Sequence, residues 1–247
     1  DTLAYSASAL SFMLENLSKP VILTGSQLPV GEIRTDAREN LITAIEIAAT
    51  QMKGRPAVPE VCVYFDYFLF RGNRTTKMNS AKFEAFQSVN FPPLAEAGVH
   101  LKFNHHLIQK ATGKQLKLHK QLDNRIGVVR LFPGMTHEWF SAQLQAKKLK
   151  AIILETFGSG NAPSQGWFIE ELQRVITSGM LVINITQCPG GSVEQGRYAT
   201  SRKLAEMGVV GGADLTLEAA LTKLQFLMGQ KNKVADIKRL MSQSLRG

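Results

Sequence analysis

Cysteine is scarce in this 247-residue sequence: only Cys62 and Cys188 occur, too few for a disulfide framework, and a reducing cytoplasm is the compartment such usage fits. Missing too is any apolar run long enough to cross a bilayer, and the first residues lack the basic-then-apolar layout of a secretion signal. The five histidines, His100, His105, His106, His119 and His137, are not spaced to share a helical face and have no cysteine pair nearby, so no metal site is expected. Gly158-Ser159-Gly160 lacks the third glycine of a dinucleotide fingerprint, and Pro163 stands close by, so no nucleotide cofactor is expected either. There is no internal repeat and no low-complexity tract.

What is present describes a globular chain. With 44% hydrophobic and 20% charged residues, it can build one large core or two modest ones. Positive charge is in excess, 29 Lys and Arg against 20 Asp and Glu, for a net charge of +9 that would attract any polyanion. The basic residues are nevertheless dispersed, with Lys147, Lys148 and Lys150 at a helix end and Lys110, Lys114, Lys117 and Lys120 along a polar stretch. No recognition-helix or aromatic-plus-basic module accompanies them, so specific nucleic-acid binding is not expected.

Apolar spacing lays out alternating helices and strands. Leu3, Ala7, Leu10, Leu14 and Leu17 form a helical stripe that Lys19-Pro20 stops, and Val21-Ile22-Leu23-Thr24 reads as a short buried strand. Asp36 and Glu39 resemble a capping box before a second helix whose stripe is Ala37, Leu41, Ile45 and Ala48. Val61-Cys62-Val63-Tyr64-Phe65 is the next strand. From Ile108 to Arg125 the periodicity fades, and residues 110–125 read as a connector. Beyond it come strands at Ile126 to Leu131, Ala151 to Leu154 and Leu181 to Ile185, with helices around Glu138 to Gln145 and Phe168 to Thr177. Asp214 or Thr216 can cap a last long helix whose Leu217, Ala220, Leu221, Leu224 and Met228 lie on one side. Helix and buried strand in alternation point to two parallel-wound α/β domains.

Two loops following strands carry chemistry, where open α/β sheets tend to hold ligands: Gly25-Ser26-Gln27 and Arg71-Gly72-Asn73-Arg74-Thr75-Thr76-Lys77. A lysine titrates near 10.4 in isolation, so acting as a general base requires burial or neighbouring cations. A carboxylate can orient such an amine beside a hydroxyl nucleophile, and Asp1 at the chain start is the candidate partner of Lys77. The plain alternatives remain open: a solvated basic loop for Arg71 to Lys77, a helix cap for Asp1, and turn residues at Ser26 and Asn161.

Together, Asp1-Thr2-Leu3-Ala4-Tyr5, Thr24-Gly25-Ser26-Gln27, Arg71 to Lys77, Gly158-Ser159-Gly160-Asn161-Ala162-Pro163 and Gly211-Gly212-Ala213-Asp214 resemble the type I, cytoplasmic L-asparaginases. The resemblance spans nearly the whole chain, and Leu10 to Leu17 is similar to the type I branch in particular. It implies a two-domain α/β fold, with residues 1–109 as the remainder of a parallel or mixed N-terminal domain, 110–125 as connector and 126–247 as a smaller C-terminal domain. It further implies hydrolysis of L-asparagine to L-aspartate and ammonia through an acyl-threonine, no metal or organic cofactor, and a homodimer or homotetramer.

By the same resemblance Asp1 binds the substrate amino group and joins a Thr-Lys-Asp triad, and Lys77 is its base. Ser26 lies beside the scissile amide, and Asn161 helps complete the site of a neighbouring subunit. Both catalytic threonines of that family are missing from these residues, so truncation and inactivity of the chain alone are expected. Some members bind a second asparagine at a regulatory site matching Thr186, Gln187 and Cys188. Glu155 stands there in place of a basic residue and would repel a carboxylate. Two further readings are an amidase subunit of a tRNA-dependent amidotransferase and a non-catalytic module that clasps a small polar molecule.

Overall fold

The computed structural model describes residues 2–196 and 199–247, in two compact units: Asp1–Lys120 with Arg246–Gly247, and Gln121–Leu245. In the first, helix α1 (Leu3–Met13) buries Ala4, Ala7, Ser8, Ser11 and Phe12. It ends sooner than its leucine stripe suggests, because Leu14–Glu15 pairs antiparallel with Lys117–Leu118 and Asn16 turns the chain at φ 63°. Leu14 and Leu17 still pack against Val61 and Val63, so the stripe is core without being entirely helix. The lysine-rich stretch through Lys120 accordingly belongs to the first unit and supplies an edge pairing.

Five strands form the sheet of this unit: β1 (Val21–Leu23), β2 (Val61–Phe65), β3 (Phe68–Arg71), β4 (Ala95–Ala97) and β5 (Leu101–Phe103), in the order β5-β4-β3-β2-β1. Only β1 and β2 run parallel; the rest pair antiparallel. Every residue of β2 is buried, as a continuous apolar run demands of a central strand. Asp66 and Tyr67, with φ of 46° and 71°, make the two-residue turn into β3. Inside β2 the Cys62 thiol is fully enclosed, and burial pushes its pKa well above the usual thiol range, whereas Cys188 in the second unit is exposed.

Helix α2 (Ala37–Ala49) departs from its expected orientation. It buries Asn40, Thr43, Ala44 and Ile47, and leaves Leu41, Ile42 and Ile45 at 54%, 63% and 60% exposure. The helix is apolar on two sides, so spacing alone could not say which one faces the sheet.

The second unit carries a parallel sheet in sequence order, β6 (Ile126–Arg130), β7 (Ala151–Thr156), β8 (Leu181–Thr186) and β9 (Val210–Gly211). Its crossover helices are α3 (His137–Leu144), α4 (Gly166–Thr177) and α5 (Ala199–Glu206). Phe140, Leu154, Phe168, Leu172 and Val182 form the core between α3, α4 and one sheet face. Thr136 and Thr216 accept hydrogen bonds from Trp139 N and Ala219 N and so cap α3 and α6 (Leu217–Gly229). Lys223, 3% exposed on α6, spends its ammonium on the carbonyls of Met241 and Gln243, at 2.8 and 2.6 Å, closing the end of α7 (Val234–Met241).

Candidate active site

Lys77 emerges from a segment held on several sides. Arg71 at the end of β3 is 3% exposed, and its guanidinium makes a forked pair with the buried carboxylate of Glu60, at 2.6 and 3.1 Å. The same guanidinium donates to Leu107 O at 2.7 Å and lies 4.5 Å from the Phe91 ring centroid, while Glu60 also accepts from Gln109 N at 2.6 Å. The chain then makes a tight turn, Gly72–Arg74, and the fully buried Thr75 donates its hydroxyl to Arg71 O at 2.8 Å. Thr76–Lys77 next pairs with Phe86–Gln87, setting the half-buried Lys77 with Nζ 5.6 Å from the Phe86 ring centroid.

Gly72 is where this segment meets α1. A Cβ built there would lie 2.9 Å from Val61 O, 3.1 Å from Ala7 O and 3.0 Å from Ser11 Oγ. Two of these neighbours are backbone and cannot swing away, so Gly72→Ala is expected to destabilise the first unit by about 1–3 kcal/mol. Urea titration gives the value, and an unchanged midpoint would mean that α1 yields freely.

The loop carrying Ser26 follows β1 and is tied down by α2. Asp36 accepts from Gln27 N at 2.9 Å and from Leu28 N at 3.1 Å, and Asn40 donates to Gly25 O at 2.9 Å. Asp36 therefore does not cap its helix through its side chain; its oxygens already face these loop amides. Glu39, the other half of the expected capping box, accepts from Thr43 Oγ1 at 3.1 Å instead. Gln27 Nε2 donates to Lys82 O at 2.8 Å, joining this loop to the segment after Lys77. Ser26 itself is exposed. Asp1 lies outside the described residues.

Asn161, Thr186, Gln187 and Cys188 belong to the second unit. Asn161 closes a bridge with Phe157, and its side-chain oxygen accepts from Thr200 Oγ1 at 3.2 Å. Buried Asn184 steadies this loop by accepting from Thr156 Oγ1 at 2.7 Å and donating to Gly160 O at 3.3 Å. Thr186 donates to Gly158 O and accepts from Cys188 N at 3.0 Å; Gln187 donates to Leu131 O and Glu155 O, at 2.6 and 2.8 Å. The polar side chains of Thr186 and Gln187 are thus engaged with backbone.

Glu155 is 8% exposed, and its carboxyl is pushed up, first by burial and then by the nearby Glu218, against the opposing pull of Arg130. An acid whose folded pKa lies above its ordinary value of 4.5 binds its proton more tightly when folded, so stability falls as pH rises past that value. Glu155→Gln is expected to raise the melting temperature at neutral pH, with the gain vanishing by about pH 4. Circular-dichroism melts across that range check it, and an equal or lower value at neutral pH would contradict it.

Among the described residues no group of three His, Cys, Asp or Glu side chains could hold a metal ion, and no helix is long and apolar enough to cross a membrane. Sequence reasoning missed Glu60, Gly72 and Asn40, and read Asp36 for a different task. The only advance signal for Glu60 was a carboxylate placed directly before a buried strand.

The first unit's sheet is mixed rather than parallel-wound as its sequence suggests, and only the second unit's is parallel throughout. With polar and small-residue loops at their strand ends the two units define an α/β protein, a class that tends to receive ligands there. The chain belongs to the asparaginase family: "Asparaginase, N-terminal" matches residues 1–109 and "Glutaminase/Asparaginase C-terminal domain" matches residues 125–241. It is 46% identical over 248 residues to L-asparaginase 1 of Escherichia coli K12, covering all of this chain and 71% of that protein. With the 60 kDa lysophospholipase of Mus musculus it shares 43% identity over 249 residues, 43% of that longer protein. The crystal structure of L-asparaginase I from Vibrio cholerae superposes with a TM-score of 0.92 at 42% identity, over the whole chain and 73% of that structure.

Proposed function

We propose that this chain carries the base and substrate-binding groups of a cytoplasmic amidohydrolase that converts L-asparagine into L-aspartate and ammonia. Lys77 takes the proton of a threonine hydroxyl, and the carboxylate of Asp1 orients the lysine and binds the substrate amino group. The threonine oxygen attacks the side-chain carboxamide, the amide C–N bond breaks, and ammonia leaves. Water then cleaves the acyl-threonine ester, releasing L-aspartate and restoring the hydroxyl. Backbone amides near Ser26 orient the leaving group, and Asn161 serves the site of a neighbouring subunit in a homodimer or homotetramer.

The observation that carries this reading is the anchoring of two strand-end segments to each other. The Lys77 segment is fixed by the Glu60–Arg71 pair, the Ser26 loop by Asp36, and Gln27 bonds across to Lys82. Positioned rather than mobile, such groups suit acyl transfer, which depends on alignment. Self-association is supported by the uncovered Leu41, Ile42 and Ile45 of α2. Thr186, Gln187 and Cys188 are the candidate regulatory loop, but the buried Glu155 beside it disfavours an anionic effector.

Ammonia release by the full-length protein from asparagine, glutamine and glutaminyl-tRNA is the test. Turnover of asparagine at the highest kcat/KM is expected. Preference for glutaminyl-tRNA would identify an amidotransferase subunit, and no release from any of the three would leave a binding module.

A further inference from the structure

The first unit holds a concave site that uses none of the groups assigned to catalysis. It is a cavity of about 560 Å³ between the hairpin of residues 51–56 and the loop of residues 105–113, lined by Ser18, Arg55, Pro59, His105, Ile108 and Lys110 among others. Its floor is apolar: Ala57 is 8% exposed, and Ile108 packs on the core beneath the sheet. Its rim is basic. Arg55, Lys110 and His105 face the space, and among the described residues no carboxylate lines it. Arg55 and Lys110 have no ion-pair partner among the described residues.

Both walls are fixed by backbone bonding. On one side Arg55–Pro56 pairs with Gln51–Met52 through a turn at Lys53 and Gly54, with φ of 51° and 75°, and Ala57 N donates to Thr50 O at 3.0 Å. On the other, Leu107 O and Gln109 N are bonded to Arg71 and Glu60. The buried carboxylate of Glu60 is bonded to this loop through Gln109 N, and its charge is matched by Arg71 at 2.6 Å, so it does not offset the rim. The His105 ring stacks on Phe103 at 5.9 Å and 19°. A preformed apolar recess under two unmatched cations complements a molecule that carries negative charge at one end only.

We propose that this cavity binds a small amphipathic organic anion, a single carboxylate or phosphate on an apolar body, with Arg55 and Lys110 on the anionic group and Pro59 and Ile108 on the body. Isothermal titration of the chain with hexyl phosphate, hexanoate, inorganic phosphate and hexanol tests it. Saturable one-to-one binding of hexyl phosphate or hexanoate is expected, and the tighter of the two identifies the head group. The double variant Arg55→Gln, Lys110→Gln should weaken that binding about tenfold or more. Lys147→Gln with Lys148→Gln, which removes equal charge from the second unit, should leave it unchanged. Equal weakening by both double variants would reduce the effect to overall charge. Hexanol or inorganic phosphate binding as tightly as the better amphiphile, or no saturable binding, would overturn the proposal.

Discussion

Lys77→Met is expected to lower kcat for asparagine hydrolysis in the full-length protein by about 10²–10⁴-fold, the range a positioned general base supplies, with the melting temperature almost unmoved. The fold should tolerate the change because Lys77 is only half-buried and its strand pairing with Phe86 uses backbone groups that methionine keeps. The contact between Nζ and the Phe86 ring, at 5.6 Å, contributes about 0.5–1 kcal/mol in such settings. Methionine also retains most of the stem length, so the packing along the segment survives. How the loss is distributed matters as much as its size. A rise in KM at constant kcat would make Lys77 a uniform binding group, and near-parental kcat would remove it from the chemistry.

Glu60→Ala is expected to cost the first unit about 3–5 kcal/mol, the range for breaking one partner out of a buried ion pair. Arg71 would keep its bond to Leu107 O and its place over Phe91, but its charge would be left inside the protein unmatched. Gln109 N would lose its acceptor in the same step. The loss should appear in the first unit's unfolding transition, followed by the exchange of amide protons in β2 and β3. Replacing both partners, as Glu60→Leu with Arg71→Met, should recover much of it, since two well-packed apolar side chains leave no uncompensated charge. A Glu60→Ala protein as stable as its parent would mean that water reaches the guanidinium, contrary to its 4% side-chain exposure.

The sequence announces those parts of the fold whose signal is local. Val61 to Phe65 is apolar throughout and became the fully buried strand, and Ile126, Ala151 and Leu181 each open a strand where expected. Thr216 announced its helix because a capping hydroxyl and the backbone N–H that donates to it lie three residues apart. Misreadings arose where one pattern serves two geometries. Asp36 followed by Glu39 is the spelling of a capping box, yet the same aspartate can turn back to loop amides nine residues earlier. Helix α2 has apolar residues on two sides, so the stripe through Leu41 and Ile45 named a surface and the one through Ala44 and Ile47 the core.

Glu60 and Arg71 were unreadable as a pair for another reason. Eleven residues separate them, and they meet only because the two-residue turn at Asp66 and Tyr67 folds β3 back on β2. That turn lacks the glycine or asparagine that usually marks it. At the candidate site, Lys77 and Ser26 were visible as chemistry after strands, while the residues that hold them still were not.

One thiol per unit gives this protein two separate clocks. A thiol-specific alkylating reagent applied to the native protein should mark Cys188 at once, because it lies open on the loop after β8, and should leave Cys62 untouched inside β2. Mass gained at Cys62 then counts only those moments when the first sheet comes apart, so peptide mass spectrometry can time the opening of one unit without interference from the other.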